Sequence, residues 1–381
     1  MFSRFDKKRD AFMLDGSFAD QGYDWWWHSF TAVNSLTGEE KSFFIEYFTC
    51  NPARCEAKPV FGQLIENALS GKKPSYVMIK AGWWGEDHAQ LHRFFPWTEV
   101  AIHKDAPYSV EADDCFAGEY ELRGSVNVSE DDAKAHPEWM SDAGSMKWDI
   151  RLNKLIPYNV GYGAGSIFRK LKAFEMYWHA EGMKTLYSGT IIANGVRYDV
   201  IPGQSYGYAD KNWGSDFTSP WLWLSSNDLV SKISGKRLLN SAFDIGGGRP
   251  KAFGIPLMRT VLSAFYYEGY EFEFNFSKFW TGSHTKFAVK ETDDKVIWHV
   301  RQESVRAVAD VVVECMKKDM LFVNYESPDG RKRHERLWNG GNGKGTVKLY
   351  EKGPNGLYLV DELKAEHVGC EYGEYSKSLF A

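Results

Sequence analysis

The stretch from Tyr206 to Ser225 sets Tyr206, Tyr208, Trp213, Phe217, Trp221 and Trp223 around a short polar run, Asp210-Lys211-Asn212. Large rings bury much apolar area and have rigid shapes. A carboxyl group among them loses solvent, and desolvation moves its pKa towards neutrality. These residues point to a greasy pocket holding one or two reactive polar groups. A carboxylic acid kept protonated in such a pocket can deliver a proton to an alkene carbon. The tertiary cation that forms is stabilised by ring faces, roughly 0.5–2 kcal/mol each. Asp210 and Asp24 are the candidate acids. Trp26, Trp27, Trp213 and Trp223 are the candidate aromatic wall, with Asn212 and Tyr177 as further substrate contacts. His28, His179 and Tyr206 are candidates to orient or deprotonate a nucleophilic hydroxyl.

Each assignment has a structural counterpart. Tryptophans at a spacing of two on a strand also serve as core. Asp210 can fix a turn by accepting backbone N–H bonds, and Lys211 beside it can be its ion-pair partner, which would lower its pKa. His28 follows Trp27, so on a strand the two point to opposite faces and only one can line a given pocket.

The elements that must position these residues read as strands. Of 381 residues, 43% are hydrophobic and 16% aromatic. That length exceeds one ordinary core, and the aromatic bias favours sheet. A weak internal repeat is present. Trp25-Trp26-Trp27 leads through a turn to Phe43–Phe48, and Trp221-Leu222-Trp223 leads through a polar stretch to Leu238–Phe243. Both units run into a small-residue segment, Asn51-Pro52 in one and Gly246-Gly247-Gly248 in the other. The repeat predicts two related β-domains in tandem, over residues 1–214 and 215–381. Asn194-Gly195 between two alternating segments predicts a hairpin. Val305–Lys318 is rich in β-branched residues and predicts a strand. Short helices are expected near Phe61–Ser70 and Asp131–Met140.

Several chemistries have no motif here. There is no dinucleotide fingerprint or phosphate loop and no nucleophile elbow. Gly246-Gly247-Gly248 reads as a bend or bulge, and the glycine-rich run 340–345 as a mobile loop. Among ten histidines only His88 and His92 have helical metal-site spacing, and their neighbours complete no metal motif. No metal and no cofactor are expected. A net charge of −5 disfavours general nucleic-acid binding. Five scattered cysteines suit reduced thiols. The charged first ten residues carry no apolar run of a secretory leader. A cytoplasmic protein is expected, meeting a membrane surface only to collect a lipid. The oligomeric state is left open.

The ordered motifs resemble a known family. Tyr208-Ala209-Asp210-Lys211-Asn212-Trp213-Gly214, followed by Trp221-Leu222-Trp223, resembles the Glu-Lys-Asn-Trp-Gly block and trailing Trp-x-Trp of the tocopherol cyclase family. Tyr23-Asp24-Trp25-Trp26-Trp27, Lys147-Trp148-Asp149, Tyr177-Trp178-His179 and Gly246-Gly247-Gly248 follow the family's weaker motifs in order. Asp stands for Glu at both acidic positions, and Tyr177 and His179 replace His and Gln. The resemblance implies an all-β protein of two tandem lipocalin-like, or calycin, antiparallel β-barrels with a few short helices. It also implies a cofactor-independent cyclase acting on a prenylated or polyene-like substrate. Related activities are hydration and pericyclic closure, and the non-catalytic alternative is a hydrophobic-ligand carrier.

Overall fold

The computed structural model describes residues 4–158 and 170–374. It is all-β, with two twelve-stranded antiparallel barrel-forming sheets and only short helices. The strands of the first sheet run from Tyr23 to Gly214, and those of the second from Trp221 to Gly373.

Each sheet is organised around one aromatic strand. In the first, Tyr23–Asn34 lies between Glu40–Cys50 and Gly207–Gly214. The strand Gly207–Gly214 also pairs with the long strand Met176–Ala193. In the second, Trp221–Ser226 lies between Ser241–Gly248 and the long strand Gly356–Gly373. The repeated sequence units therefore become equivalent hairpins, and in each sheet a strand late in the chain returns to the aromatic one.

Strand alternation divides the side chains between three cores. Trp26, Phe30 and Ala32 pack inside the first sheet with Tyr47, Ile79 and Trp148. Leu222 and Leu224 pack inside the second with Phe243, Trp298 and Val311. The alternate residues, Tyr23 and Trp27 from the first sheet and Trp221 and Trp223 from the second, share one cluster that spans both sheets. Hydrogen bonds cross the same seam. Trp84 Nε1 donates to Asn339 Oδ1 at 2.7 Å, Asn51 Nδ2 to Pro328 O at 2.7 Å, and Tyr158 Oη to Ser263 O at 2.9 Å.

The hairpin at Asn194-Gly195 forms as its sequence predicts, with positive φ at both residues. Val305–Lys318 holds the strand Ala307–Met316, and the two helical segments hold Ile65–Leu69 and Glu130–Ala135. Two glycine readings need correction. Gly246-Gly247-Gly248 is no bend but the end of the strand Ser241–Gly248. The run 340–345 is no loop; it lies inside the strand Arg333–Gly353. At both places the missing Cβ makes room for a tryptophan ring. A Cβ on Gly246 would lie 2.7 Å from the Trp178 ring, and one on Gly341 2.3 Å from the Trp84 ring. His88 and His92 are not helical: His92 is buried on the strand Ala89–Phe95, and His88 sits in the preceding turn. All five cysteines are free. Among the described residues no helix is long and apolar enough to cross a membrane.

Candidate active site

The register of the two sheets builds the site. Trp27 pairs with Asp210 on Gly207–Gly214, and Trp223 pairs with Glu371 on Gly356–Gly373. Trp25 and Trp221, two residues earlier on the same strand faces, turn their indole N–H groups to those carboxyls. Trp25 Nε1 lies 3.4 Å from Asp210 Oδ1, and Trp221 Nε1 donates to Glu371 Oε2 at 2.7 Å. The same device thus occurs once in each half: an acid opposite the second tryptophan, bonded by the first.

The two devices face each other across the seam. Two adjoining voids, about 20 Å³ each, share Trp25, Trp221, Tyr325 and Glu371 in their walls. Trp27, Asp210 and Trp223 complete one, and Met176, Phe217 and His334 are among those completing the other. Further donors hold the acids. Trp178 Nε1 donates to Asp210 Oδ2 at 2.9 Å, and the Tyr208 hydroxyl lies 3.1 Å from the same oxygen. That hydroxyl is also 3.0 Å from Asp244 Oδ2, while Trp223 Nε1 donates to Asp244 Oδ1 at 3.0 Å. Glu371 Oε1 accepts from Asn339 Nδ2.

Among the described residues no cation pairs with Asp210 or Asp244. Burial therefore dominates their acidity. It pushes Asp210 up to about 8, with the Glu371 charge adding to the rise and the Trp178, Tyr208 and Trp25 bonds opposing it. Burial likewise lifts Glu371 to about 7 against its bonds from Trp221 and Asn339. Asp244 is raised by burial and by the charge of Asp210. At neutral pH the seam thus holds Asp210 protonated in an apolar wall beside Glu371 near its midpoint, an arrangement able to give and take protons. Among the described residues no group of three or more His, Cys, Asp or Glu is placed to hold a metal ion.

Of the residues expected at the site, Asp210, Trp27 and Trp223 meet at one void. The others lie elsewhere. Asp24 faces into the first barrel and is ion-paired with Lys211, the residue considered above as a partner for Asp210. Adjacent residues on a strand point to opposite faces, so Lys211 cannot serve Asp210. Asp24 also accepts from the Met13 N–H at 2.7 Å, and burial lifts its carboxyl to about 6. Trp26 belongs to the first-barrel core, stacked on Tyr108 at 5.0 Å with the Lys211 ammonium 3.7 Å from its ring.

His28 and His179 are buried in that same barrel. His28 Nδ1 lies 2.9 Å from the Tyr187 hydroxyl, and burial pushes its pKa down to about 3. His179 Nε2 lies 3.1 Å from Asp10 Oδ1. Tyr177 and Trp213 stack on each other at 5.5 Å and line neither seam void. Asn212 Oδ1 accepts from the Tyr23 hydroxyl at 2.7 Å. Tyr206 stacks on His367 at 4.1 Å and lines a third, more polar void together with Tyr208 and Trp223.

Glu371, Asp244 and Tyr325 are not among the residues the sequence singles out, and Trp25, Trp178 and Trp221 stand there only within the aromatic block and motifs, not as site residues. One signal could have found Glu371. If the two Trp-x-Trp units are equivalent, the returning strand of the second half must also carry an acid, and Glu371 stands in the Gly369–Gly373 segment. Asp244 and Tyr325 have no such signal, because only the meeting of the sheets brings them in.

No family profile matches the chain, and no curated protein matches it. Among solved structures, an AttH candidate from Nitrosomonas europaea aligns over 96% of both chains at 14% identity and a TM-score of 0.47. Kievitone hydratase from Nectria haematococca aligns over 96% of this chain and 94% of its own at 10% identity, TM-score 0.47. CghA with Sch210972 aligns over 93% and 89% at 10% identity, TM-score 0.44. These are likenesses of overall chain course.

Proposed function

We propose that the seam between the sheets is the active site of a cofactor-independent, tocopherol cyclase-like enzyme that protonates an alkene of a hydrophobic prenylated or polyene-like substrate. One observation carries the reading: Asp210 is buried without a cationic partner among the described residues and faces a void walled by Trp25, Trp27, Trp221 and Trp223. A carrier of apolar ligands gains nothing from such an acid. Asp210 gives its proton to an alkene carbon, and the ring faces stabilise the cation. A hydroxyl oxygen of the substrate adds to that cation, and its proton leaves to Glu371. Asp210 and Glu371 then hold donor and acceptor roles set by their environments.

The voids are far smaller than a polyene, so entry of a substrate requires wall rings to move. Phe217 is the wall ring carried on the connection 215–220, outside any strand. Hydration is the second reading, because each void has room for about one water.

The test begins with mass spectrometry of lipids that co-purify with the protein. Candidates are then incubated with protein in D2O. The reading expects deuterium on carbon in the product, and expects Asp210→Asn to lower turnover about 10²–10⁴-fold with ligand affinity retained. Ligand binding without any turnover would instead identify a carrier.

A further inference from the structure

The surroundings of Tyr208 carry a further step, which rests on the reading of Asp210 as proton donor. Tyr208 has a single hydroxyl hydrogen, yet its oxygen lies 3.1 Å from Asp210 Oδ2 and 3.0 Å from Asp244 Oδ2. It can donate to only one of them. The other contact is a hydrogen bond only if that carboxyl donates to the phenol oxygen. The pair therefore shares a carboxyl proton as well as the phenolic one.

Asp244 lines none of the three voids and reaches the third only through a neighbour. Its backbone partner across the sheet is Ser225. Ser225 lines the third void, about 20 Å³, whose wall also includes Ser29, Thr31, Ser42 and Ser226. Tyr208 and Trp223 belong to this wall too, and the void reaches the half-buried pair Tyr206 and His367. It is polar and has room for about one water. Tyr208 and Trp223 thus stand between a hydroxyl-lined void and the acid of the apolar one.

We propose that the hydroxyl-lined void is the proton inlet of the active site and that Tyr208 and Asp244 relay protons from it to Asp210. Once Asp210 has lost its proton, the Tyr208 O–H bond breaks towards Asp210 Oδ2. In the same shift the carboxylic O–H of Asp244 breaks towards the phenol oxygen. Two O–H bonds break and two form, and the negative charge moves from Asp210 to Asp244. A proton from bulk solvent, passed through the water of the void and past Ser225, then neutralises Asp244 and leaves that water unchanged. Glu371 returns the substrate's proton to solvent, so the cycle is proton-neutral. The acid facing the substrate is reloaded from behind, and no water need enter on the tryptophan side. Tyr208 and Asp244 act through Asp210 and are positioning residues.

Infrared spectroscopy of the full chain tests this without a substrate, with D2O as the probe. Asp210→Asn identifies the carbonyl band of protonated Asp210. After rapid transfer to D2O, the shift of that band reports exchange of its proton. Tyr208→Phe and Asp244→Asn should each slow the exchange about tenfold or more, the scale of a lost proton-transfer group. Mere loosening of the site would speed it. Trp178→Phe, which removes a donor to Asp210 but spares the relay, should exchange at the wild-type rate or faster. Should Tyr208→Phe not fold, Asp244→Asn gives the same readout. Exchange as fast as wild type in the relay variants overturns the inlet. So does a neutral-pH spectrum in which neither aspartate variant loses a protonated band. If Asp210→Asn still turns substrate over, the donor role fails while the exchange result stands.

Discussion

Asp210 and Asp24 are the same residue type, both buried, with opposite surroundings. Asp24 meets the Lys211 ammonium, whereas Asp210 meets indole N–H groups and a phenol. Their stability signatures differ accordingly. Asp210 rises from an ordinary 3.8 to about 8 on folding. Between those values the folded protein keeps a proton that the unfolded chain has lost, so stability falls as pH rises through this window. Asp210→Asn should flatten that fall and exceed wild type in stability above pH 8, read from urea midpoints at several pH values. Some slope remains, because Glu371 and Glu326 are raised by burial as well. A variant as steep as wild type would refute the assignment. Asp24→Asn should behave differently. It strands the buried Lys211 charge and should cost about 3–5 kcal/mol. Asp24→Leu combined with Lys211→Met should recover most of that loss in the same measurement, and no recovery would mean that Asp24 has a further role. The sequence shows both acids and the lysine. What separates them is parity on a strand, legible only once the register Trp26 to Lys211 and Trp27 to Asp210 is known.

At the scale of the element, glycines inside strands seat the tryptophans. A Cβ on Gly369 would lie 2.2 Å from the Trp223 ring, and one on Gly246 2.7 Å from the Trp178 ring. Gly246→Ala should therefore push the Trp178 indole off its seat at about 1–3 kcal/mol. Because the Trp178 N–H holds the Asp210 pKa down, its displacement should raise that pKa further. Thermal unfolding reads the first effect and an infrared titration of the Asp210 band the second. An unmoved titration would show that Trp178 keeps its bond. Turn chemistry does predict Asn194-Gly195 correctly, because positive φ is a local demand. It fails for Gly246 and Gly341, whose reason for being glycine is a ring supplied by the other sheet.

At the scale of the molecule, the site exists only because two faces meet. Trp25, Trp27 and Trp178 come from the first sheet, and Trp221, Trp223 and Tyr325 from the second. Residues 1–214 or 215–381 made alone would expose a large aromatic face. Each should aggregate or bind a dye for exposed apolar surface, and co-expression should restore a soluble complex. Two well-behaved halves with no affinity for each other would show that the seam contributes little. The amino-acid sequence by itself determined the all-β class, the repeated Trp-x-Trp units and the acid beside an aromatic block. Those follow from alternation, turn residues and composition, which act along the chain. The tertiary structure alone decided that Asp210 faces Glu371, that Asp24 is neutralised, and that Tyr208 touches a second buried carboxyl. Burial and partnership are set by segments far apart in sequence, and it is they that fix the acidity of each group.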